Sequence, residues 1–403
     1  MNRIAPPPSP PPDTEAGRDR IHSLDVFRGA VVFLMIFVNH LAPLESIPGW
    51  LKHHPPDQEG MTFVDVILPA FLFAAGASIP AAFDRRRRRG DPYPKRVGHA
   101  ALRTGGLLLL GLLMSNLASR SPGRPDPGRD ALMVALVLGA VLWWLDAAAA
   151  PSYRMPARAA GGGMLILVAV LFERNDGGWL RATWGAIPGL IGCAYTVGVT
   201  AYLTVGRNPA GLLAGLGLLI LLAAAGTGSP SPWPPPWDAV PRVVGSHGAI
   251  LLAGVLAGTR MTGAPDSGTS GGIPRDLALL GAGLCVAGCL LRPVHGIYKI
   301  RATDSWALLS AGFSAFGLAA VRMWPADPRP PAIAAWLGRT GENAFLAYLL
   351  SEGVMPALRL AGEGAAGSFA ANGFSAVLRG LMVAGIITWF SARLTRRGVR
   401  LHL

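Results

Sequence analysis

The chain has 403 residues, of which 51% are hydrophobic and only 15% charged, and its mean hydropathy is +0.40, whereas a soluble domain carries about 25% charged residues. Most of such a chain cannot face water, which excludes a soluble globular enzyme and predicts an all-α, polytopic membrane bundle of about 10–12 transmembrane helices in the lipid bilayer. The net charge of +13 sits mainly in short loops between apolar runs, where positive-inside topology accounts for it and no nucleic acid is implied.

Residues 1–20, with "APPPSPPPD", read as a disordered Pro-rich cytoplasmic tail. No apolar core precedes the charged "RDR", so a signal peptide is not expected. Residues 21–403 then form one transmembrane domain. Its apolar runs lie near 26–44, 62–83, 97–118, 131–149, 159–172, 185–205, 210–226, 245–261, 277–291, 305–323, 332–355 and 374–392. Between the second and third, "DRRRRRGDPYPKR" (Asp84 to Arg96) concentrates seven cations. The positive-inside rule assigns that loop and both termini to the cytoplasm, with roughly twice as many Lys and Arg there as on the other side. The loop carrying His53 and His54 opens on the opposite face. So does "SPSPWPPPWD" (Ser229 to Asp238), whose tryptophans suit an interfacial belt. The 52 glycines predict closely packed helices. Cys193, Cys285 and Cys289 all lie in apolar runs and read as small buried hydrophobes.

The first two helices carry the chemistry. In "SLDVFRGAVVFLMIFVNH", Asp25, Arg28, Val32, Met35 and Asn39 share one face, because eleven residues from Arg28 to Asn39 make about three turns and span roughly 16 Å. In the second run Thr62, Asp65, Pro69, Leu72 and Gly76 follow three- and four-residue steps. An ionisable group inside a membrane is costly and normally pairs or lines a watery cavity. The structural readings are an edge ion pair for Asp25 and Arg28, a helix cap for Asp65 with Thr62, and ordinary surface for His53 and His54. The functional reading rests on their setting: a residue type that ordinarily titrates near neutral pH follows a polar helix face and precedes a carboxylate. The cluster lacks metal-ligand spacing, so no metal is expected.

The stretch "RIHSLDVFRG…FVNH…GWLKHH…GMTFVDVILPAFLFAAGASIP" resembles the heparan-alpha-glucosaminide N-acetyltransferase family and its bacterial relatives in the transmembrane acyltransferase superfamily. Further blocks, "WGAIPGLIGCAYTVGV", "IYKIRATDSWALLSAG" and "GENAFLAYLLS", extend the likeness over about residues 21–355. The resemblance implies a multi-pass protein of a bacterial cell membrane. Its activity would be transfer of an acetyl group from cytoplasmic acetyl-CoA to an amino sugar or glycan on the outer face, with a homodimer as one arrangement open to it. Carried over by position, the family's asparagine falls on Asn39, its serine-leucine-aspartate and arginine on Asp25 and Arg28, its second-helix aspartate on Asp65, and its histidine on His54 or His53. The family reads histidine, small residue, any residue, tryptophan, asparagine or histidine, glycine. This chain has "HHPPDQEG", longer and without the tryptophan, which leaves open the choice of histidine and the acceptor.

The chemistry so implied needs a base and a polarised thioester held together. His54 or His53 would take the acceptor's proton while Asn39 donates to the acyl oxygen, and a covalent acyl-histidine route stands beside direct transfer. Asp65 would orient the imidazole or bind acceptor. Arg28 would meet a CoA phosphate or hold Asp25, and Arg85–Arg89 would attract the nucleotide. Lys299, Trp306, Glu342 and Asn343 would line the acceptor or cofactor path, although "TGEN" is equally a capping arrangement. Two other classes compete: a small-solute transporter or flippase using the buried charges as coupling sites, though no internal repeat is visible, and a non-catalytic homologue of the acyltransferase fold.

Overall fold

A computed structural model describes residues 22–41, 47–120, 126–147, 151–227, 239–262, 272–324, 331–362 and 373–401. The Pro-rich tail and the Ser229 to Asp238 segment lie outside these. Among the described residues the chain is almost wholly helical: α1 (His22–Leu41), α2 (Val64–Arg88), α3 (Tyr93–Ser119), α4 (Pro127–Trp144), α5 (Arg154–Leu171), α6 (Ile187–Val205), α7 (Pro209–Ala224), α8 (His247–Thr262), α9 (Gly272–His295), α10 (Asp304–Met323), α11 (Ala332–Glu342), α12 (Ala344–Leu360) and α13 (Gly373–Arg396). Ten helical segments are long and apolar enough to cross a bilayer, α8 counting with the turn before it. Proline and side-chain caps set several starts. Pro127 and Pro209 open α4 and α7, and the Asp126 and Asn208 side chains accept from the first free backbone N–H groups.

The apolar run at 332–355 is not one span but two helices. They break at Asn343, whose φ of −130° and ψ of 38° leave the helical region. The reason is a set of distant partners for that side chain. The Asn343 amide donates to the Thr395 hydroxyl and the Val399 carbonyl, and its oxygen accepts from Leu401 N. Asn343 therefore anchors the short strand β2 (Val399–Leu401), which pairs antiparallel with β1 (Leu145–Ala147).

Many apolar side chains face outward, as on α9 (Leu279, Val286, Leu290, Val294) and α13 (Leu378, Met382, Ile386, Phe390). Apolar residues on both faces of a helix are what a lipid surround requires. Helix contacts are correspondingly close. At the crossing of α2 and α8 a Cβ on Gly76 would lie 2.0 Å from the Leu251 carbonyl oxygen, and one on Gly254 2.0 Å from that of Phe73. Small residues let these backbones touch, the packing available where water supplies no driving force. The crossing sets α2, which carries Asp65, beside α8, which carries His247. Since α2 starts after the His53 loop and finishes in its arginine run, the bundle has a histidine end and an arginine end, separated by 25 residues of helix.

Candidate active site

Asp65 lies in the first turn of α2 and is 0% exposed. One carboxylate oxygen accepts from His53 Nδ1 at 2.8 Å. The other accepts from Thr62 N at 2.9 Å, His54 N at 3.1 Å and the Thr62 hydroxyl at 3.3 Å. The Thr62 hydroxyl also reaches the Lys52 carbonyl at 2.8 Å, so both sides of the histidine loop are tied to the start of α2. Asp65 lines neither cavity described below: it stands behind His53 and holds its Nδ1. The Thr62 cap and the histidine partner thus belong to the same carboxylate.

That geometry separates the two histidines. With Nδ1 held by Asp65, the His53 ring presents Nε2, and His53 lines a cavity of about 900 Å³ at the histidine end. His54 turns away: its ring packs on Gly60, whose added Cβ would sit 2.6 Å from Nε2. Gly60 has φ +149°, a backbone conformation that favours glycine, so the longer "HHPPDQEG" loop depends on it to make room for the second imidazole. Lys299, in the loop between α9 and α10, brings Nζ 2.7 Å from His53 Nδ1 and 3.3 Å from Nε2. Distances so similar to both nitrogens put the ammonium over the ring face and not on the in-plane position of Nδ1, which stays with Asp65. Lys299 Nζ is also 3.4 Å from the Asp65 carboxylate. Burial lowers the Lys299 pKa from the ordinary lysine value, against the opposing pull of Asp65.

The same cavity collects Asn39 from the end of α1, Trp306 from the first turn of α10, and Met35 one turn below Asn39. Among the described residues the Asn39 amide has no hydrogen-bond partner, and the side chain is exposed. Three further lining residues, Trp184, Arg242 and His247, are not among the candidate site residues named from the sequence. Two of them had a cue: His247 stands at the start of an apolar run, and Trp184 opens the block "WGAIPGLIGCAYTVGV".

At the arginine end a second cavity of about 350 Å³ is lined by Arg28, Arg85, Arg103 and Arg400, with Asp25 and Glu342 as its carboxylates. Arg28 pairs with Asp25 at 3.1 Å and donates to the Gly341 carbonyl at 3.0 Å. Arg400 reaches Glu342 at 3.2 Å. Of the Arg85–Arg89 run, Arg85 reaches this wall. Asn343 also borders it, with its amide engaged by β2. Four arginines against two carboxylates make this the basic hollow of the bundle. The two cavities lie on the same helices: α1 gives Asp25 and Arg28 to one and Met35 and Asn39 to the other, α2 gives Phe71 and Leu68, and α6 gives Ile191 and Leu190. Among the described residues no group of three or more His, Cys, Asp or Glu could hold a metal ion.

Fold and site define a polytopic helical membrane protein with a carboxylate-oriented histidine at one end and a basic hollow at the other. Residues 20–96, which carry α1, the histidine loop and α2, match a family described as Domain of unknown function (DUF5009). Heparan-alpha-glucosaminide N-acetyltransferase of Homo sapiens is 31% identical over 97 residues, 24% of this chain and 14% of that protein. The protein of the same name from Mus musculus is 28% identical over 106 residues, 26% of this chain and 15% of its own length. The matches therefore span about one seventh of those relatives, and the likeness to the heparan-alpha-glucosaminide N-acetyltransferase family holds over that part. A homodimer has no support among these findings.

Proposed function

We propose that the chain is a membrane acyltransferase that carries an acetyl group from acetyl-CoA, bound at the arginine end on the cytoplasmic side, to an amino sugar or glycan at the histidine end on the outer face of a bacterial cell membrane. Both termini are then cytoplasmic. The observation that carries this reading is the pairing of a His53–Asp65 dyad with an arginine-lined hollow along one set of helices. Donor and acceptor on opposite sides of a bilayer need that arrangement.

The acceptor amine gives its proton to His53 Nε2 as its nitrogen attacks the thioester carbonyl carbon. The C–N bond forms, the C–S bond breaks, and the proton on His53 passes to the departing thiolate of CoA. Asp65 keeps Nδ1 protonated, so that Nε2 carries the lone pair at the start and the imidazolium is stabilised when it forms. Asn39 donates to the acyl oxygen as negative charge grows there, a contribution of about 2.7–4 kcal/mol in other acyl-transfer sites. Lys299 adds positive charge to the same neighbourhood, and the arginines of the basic hollow meet the phosphates of CoA.

Incubation of the purified protein in lipid nanodiscs with radiolabelled acetyl-CoA and a panel of amino sugars and oligosaccharides tests the proposal. Label on an acceptor is the expected result. Absence of both CoA binding and label transfer overturns it.

A further inference from the structure

The end of α13 carries Arg393 and Arg396, to which the acyl-transfer chemistry gives no task. It lies at the arginine end, where Arg400 pairs with Glu342 at the wall of the basic hollow. Arg393 and Arg396 line a different space. With Trp389 and Ala392 of the same helix and Trp336 of α11, they form a crevice of about 290 Å³ where α11 meets α13. Trp336 meets Phe33 of α1 edge to face, with ring centroids 5.7 Å apart, which fixes that wall to the bundle. Arg393 lies over the Trp389 ring, 5.3 Å from its centroid, a contact that holds a guanidinium in place without using its N–H donors.

Charge and helical spacing together say what fits. Trp389, Arg393 and Arg396 follow four- and three-residue steps, and such steps taken backward from Trp389 reach Ile386, Met382 and Leu378, all exposed. One face of α13 therefore runs from two exposed cations, past a tryptophan of the kind that marks membrane interfaces, onto an apolar stripe that ends about 22 Å from Arg393. In a bilayer acyl chains cover such a stripe, and a phospholipid whose chain lies along it has its phosphate level with the arginines. Among the described residues Arg393 and Arg396 have no carboxylate partner, and no carboxylate lines the crevice. Phosphate oxygens accept strongly from arginine. A headgroup with its own ammonium would set a third cation beside these two, whereas a headgroup of net negative charge would not.

We infer that the crevice between α11 and α13 binds one anionic phospholipid, with its phosphate held by Arg393 and Arg396 and an acyl chain laid along Ile386, Met382 and Leu378. Basic pockets between membrane helices recognise such headgroups through charge. The site is separate from the basic hollow, whose arginines share their space with Asp25 and Glu342, and it stands whether or not the chain is an acyltransferase.

Native mass spectrometry of the full chain, released from detergent micelles and titrated with phosphatidylglycerol, phosphatidylethanolamine or phosphatidylcholine, tests this. One phosphatidylglycerol should stay bound, with an affinity at least about tenfold above that for either zwitterionic lipid. Arg393→Gln and Arg396→Gln together should remove that preference, and each alone should weaken phosphatidylglycerol by about fivefold, so the outcome does not depend on the double variant folding. Lysine at both positions should keep part of the preference, because the charge survives and the planar fork does not. Arg397→Gln is the control: Arg397 is exposed in the same run but does not line the crevice, so its loss should change affinity by less than about twofold. Inorganic phosphate in excess should not displace the lipid. Equal retention of the three lipids, a preference that survives the glutamine variants, or an equal loss with Arg397→Gln would reduce the site to the diffuse attraction of a basic membrane face and overturn the proposal. Displacement by inorganic phosphate would overturn it in favour of a phosphate site without a lipid.

Discussion

Replacing Asp65 with Asn removes one charge and one acceptor and leaves the shape of the side chain. The carboxylate now accepts from four donors, His53 Nδ1, Thr62 N, His54 N and the Thr62 hydroxyl. An amide has a single acceptor oxygen. If that oxygen faces Thr62 and His54, the amide N–H₂ confronts His53 Nδ1–H, and the imidazole must flip its proton to Nε2, which silences it as a base. If the amide turns over, its N–H₂ opposes two backbone N–H groups instead. Lys299 loses its buried counter-charge in either case. Breaking a buried pair from one side costs about 3–5 kcal/mol, and a histidine base held in the wrong tautomer loses about 10²- to 10⁴-fold in rate. Single-turnover transfer of radiolabelled acetyl, alongside thermal melting in detergent, measures both quantities. The variant should melt lower and transfer at least about a hundredfold more slowly. A rate within about threefold of wild type would refute the claim that Asp65 sets the His53 tautomer.

Three further outcomes follow from the same geometry. His53→Gln should lower the transfer rate by about 10²- to 10⁴-fold, whereas His54→Gln, whose ring packs on Gly60, should leave it within about threefold; equal losses in both would show that the loop acts as a unit. Arg28→Ala and Arg103→Ala should each raise KM for acetyl-CoA by about tenfold, with smaller losses as salt is added, and fluorescence binding of CoA at two ionic strengths reads this directly. Burial lowers the Lys299 pKa, so the ammonium is lost as pH rises through a value below the ordinary lysine range, and its attraction to Asp65 goes with it. Activity should therefore fall on the alkaline side earlier than a free lysine would dictate, and Lys299→Arg should move that limb of the pH profile upward.

The polar face of α1 was readable because helical periodicity places residues at i, i+3, i+10 and i+14 together whatever surrounds them, and Asp25, Arg28, Met35 and Asn39 do line the two cavities. Asp65 was readable because a carboxylate in an apolar run needs a reason. What it serves was not, since the choice between His53 and His54 depends on how a loop with two prolines folds back over α2. The packing of Lys299 onto His53 crosses a sequence separation of 246 residues, and no local pattern reports that. The break at Asn343 was hidden for a similar cause. The polar "RTGEN" (Arg339 to Asn343) interrupts the run at 332–355 without saying whether one helix passes through it, and the helix ends there because a distant strand claims the asparagine amide. The place of His247 in the cavity wall was not legible from its position at the start of an apolar run, because it follows a π-helical turn, a change of winding that hydrophobic periodicity does not resolve.

The two cavities share helices without being one space, and this sets a condition on the proposed chemistry. On α2 Leu68 closes the upper cavity and Phe71, one turn on, opens the lower; on α6 Leu190 and Cys193 line the upper cavity and Ile191, between them in sequence, lines the lower. Between Arg28 and Asn39, Val32 is fully buried in the partition. A thioester anchored by its phosphates among the arginines must pass this layer to bring its carbonyl under His53. The half-buried Leu68 is the side chain on α2 that the arm would displace. Leu68→Trp adds bulk at that point without altering any polar group of either cavity. It should leave CoA affinity within about threefold, because the phosphate contacts lie below the block, and lower acetyl transfer by about 10²-fold or more, because a misplaced carbonyl forfeits the alignment on which the rate depends. Unchanged transfer would mean that the acyl group reaches His53 by another path, and the basic hollow would then have to be a site for something other than the donor.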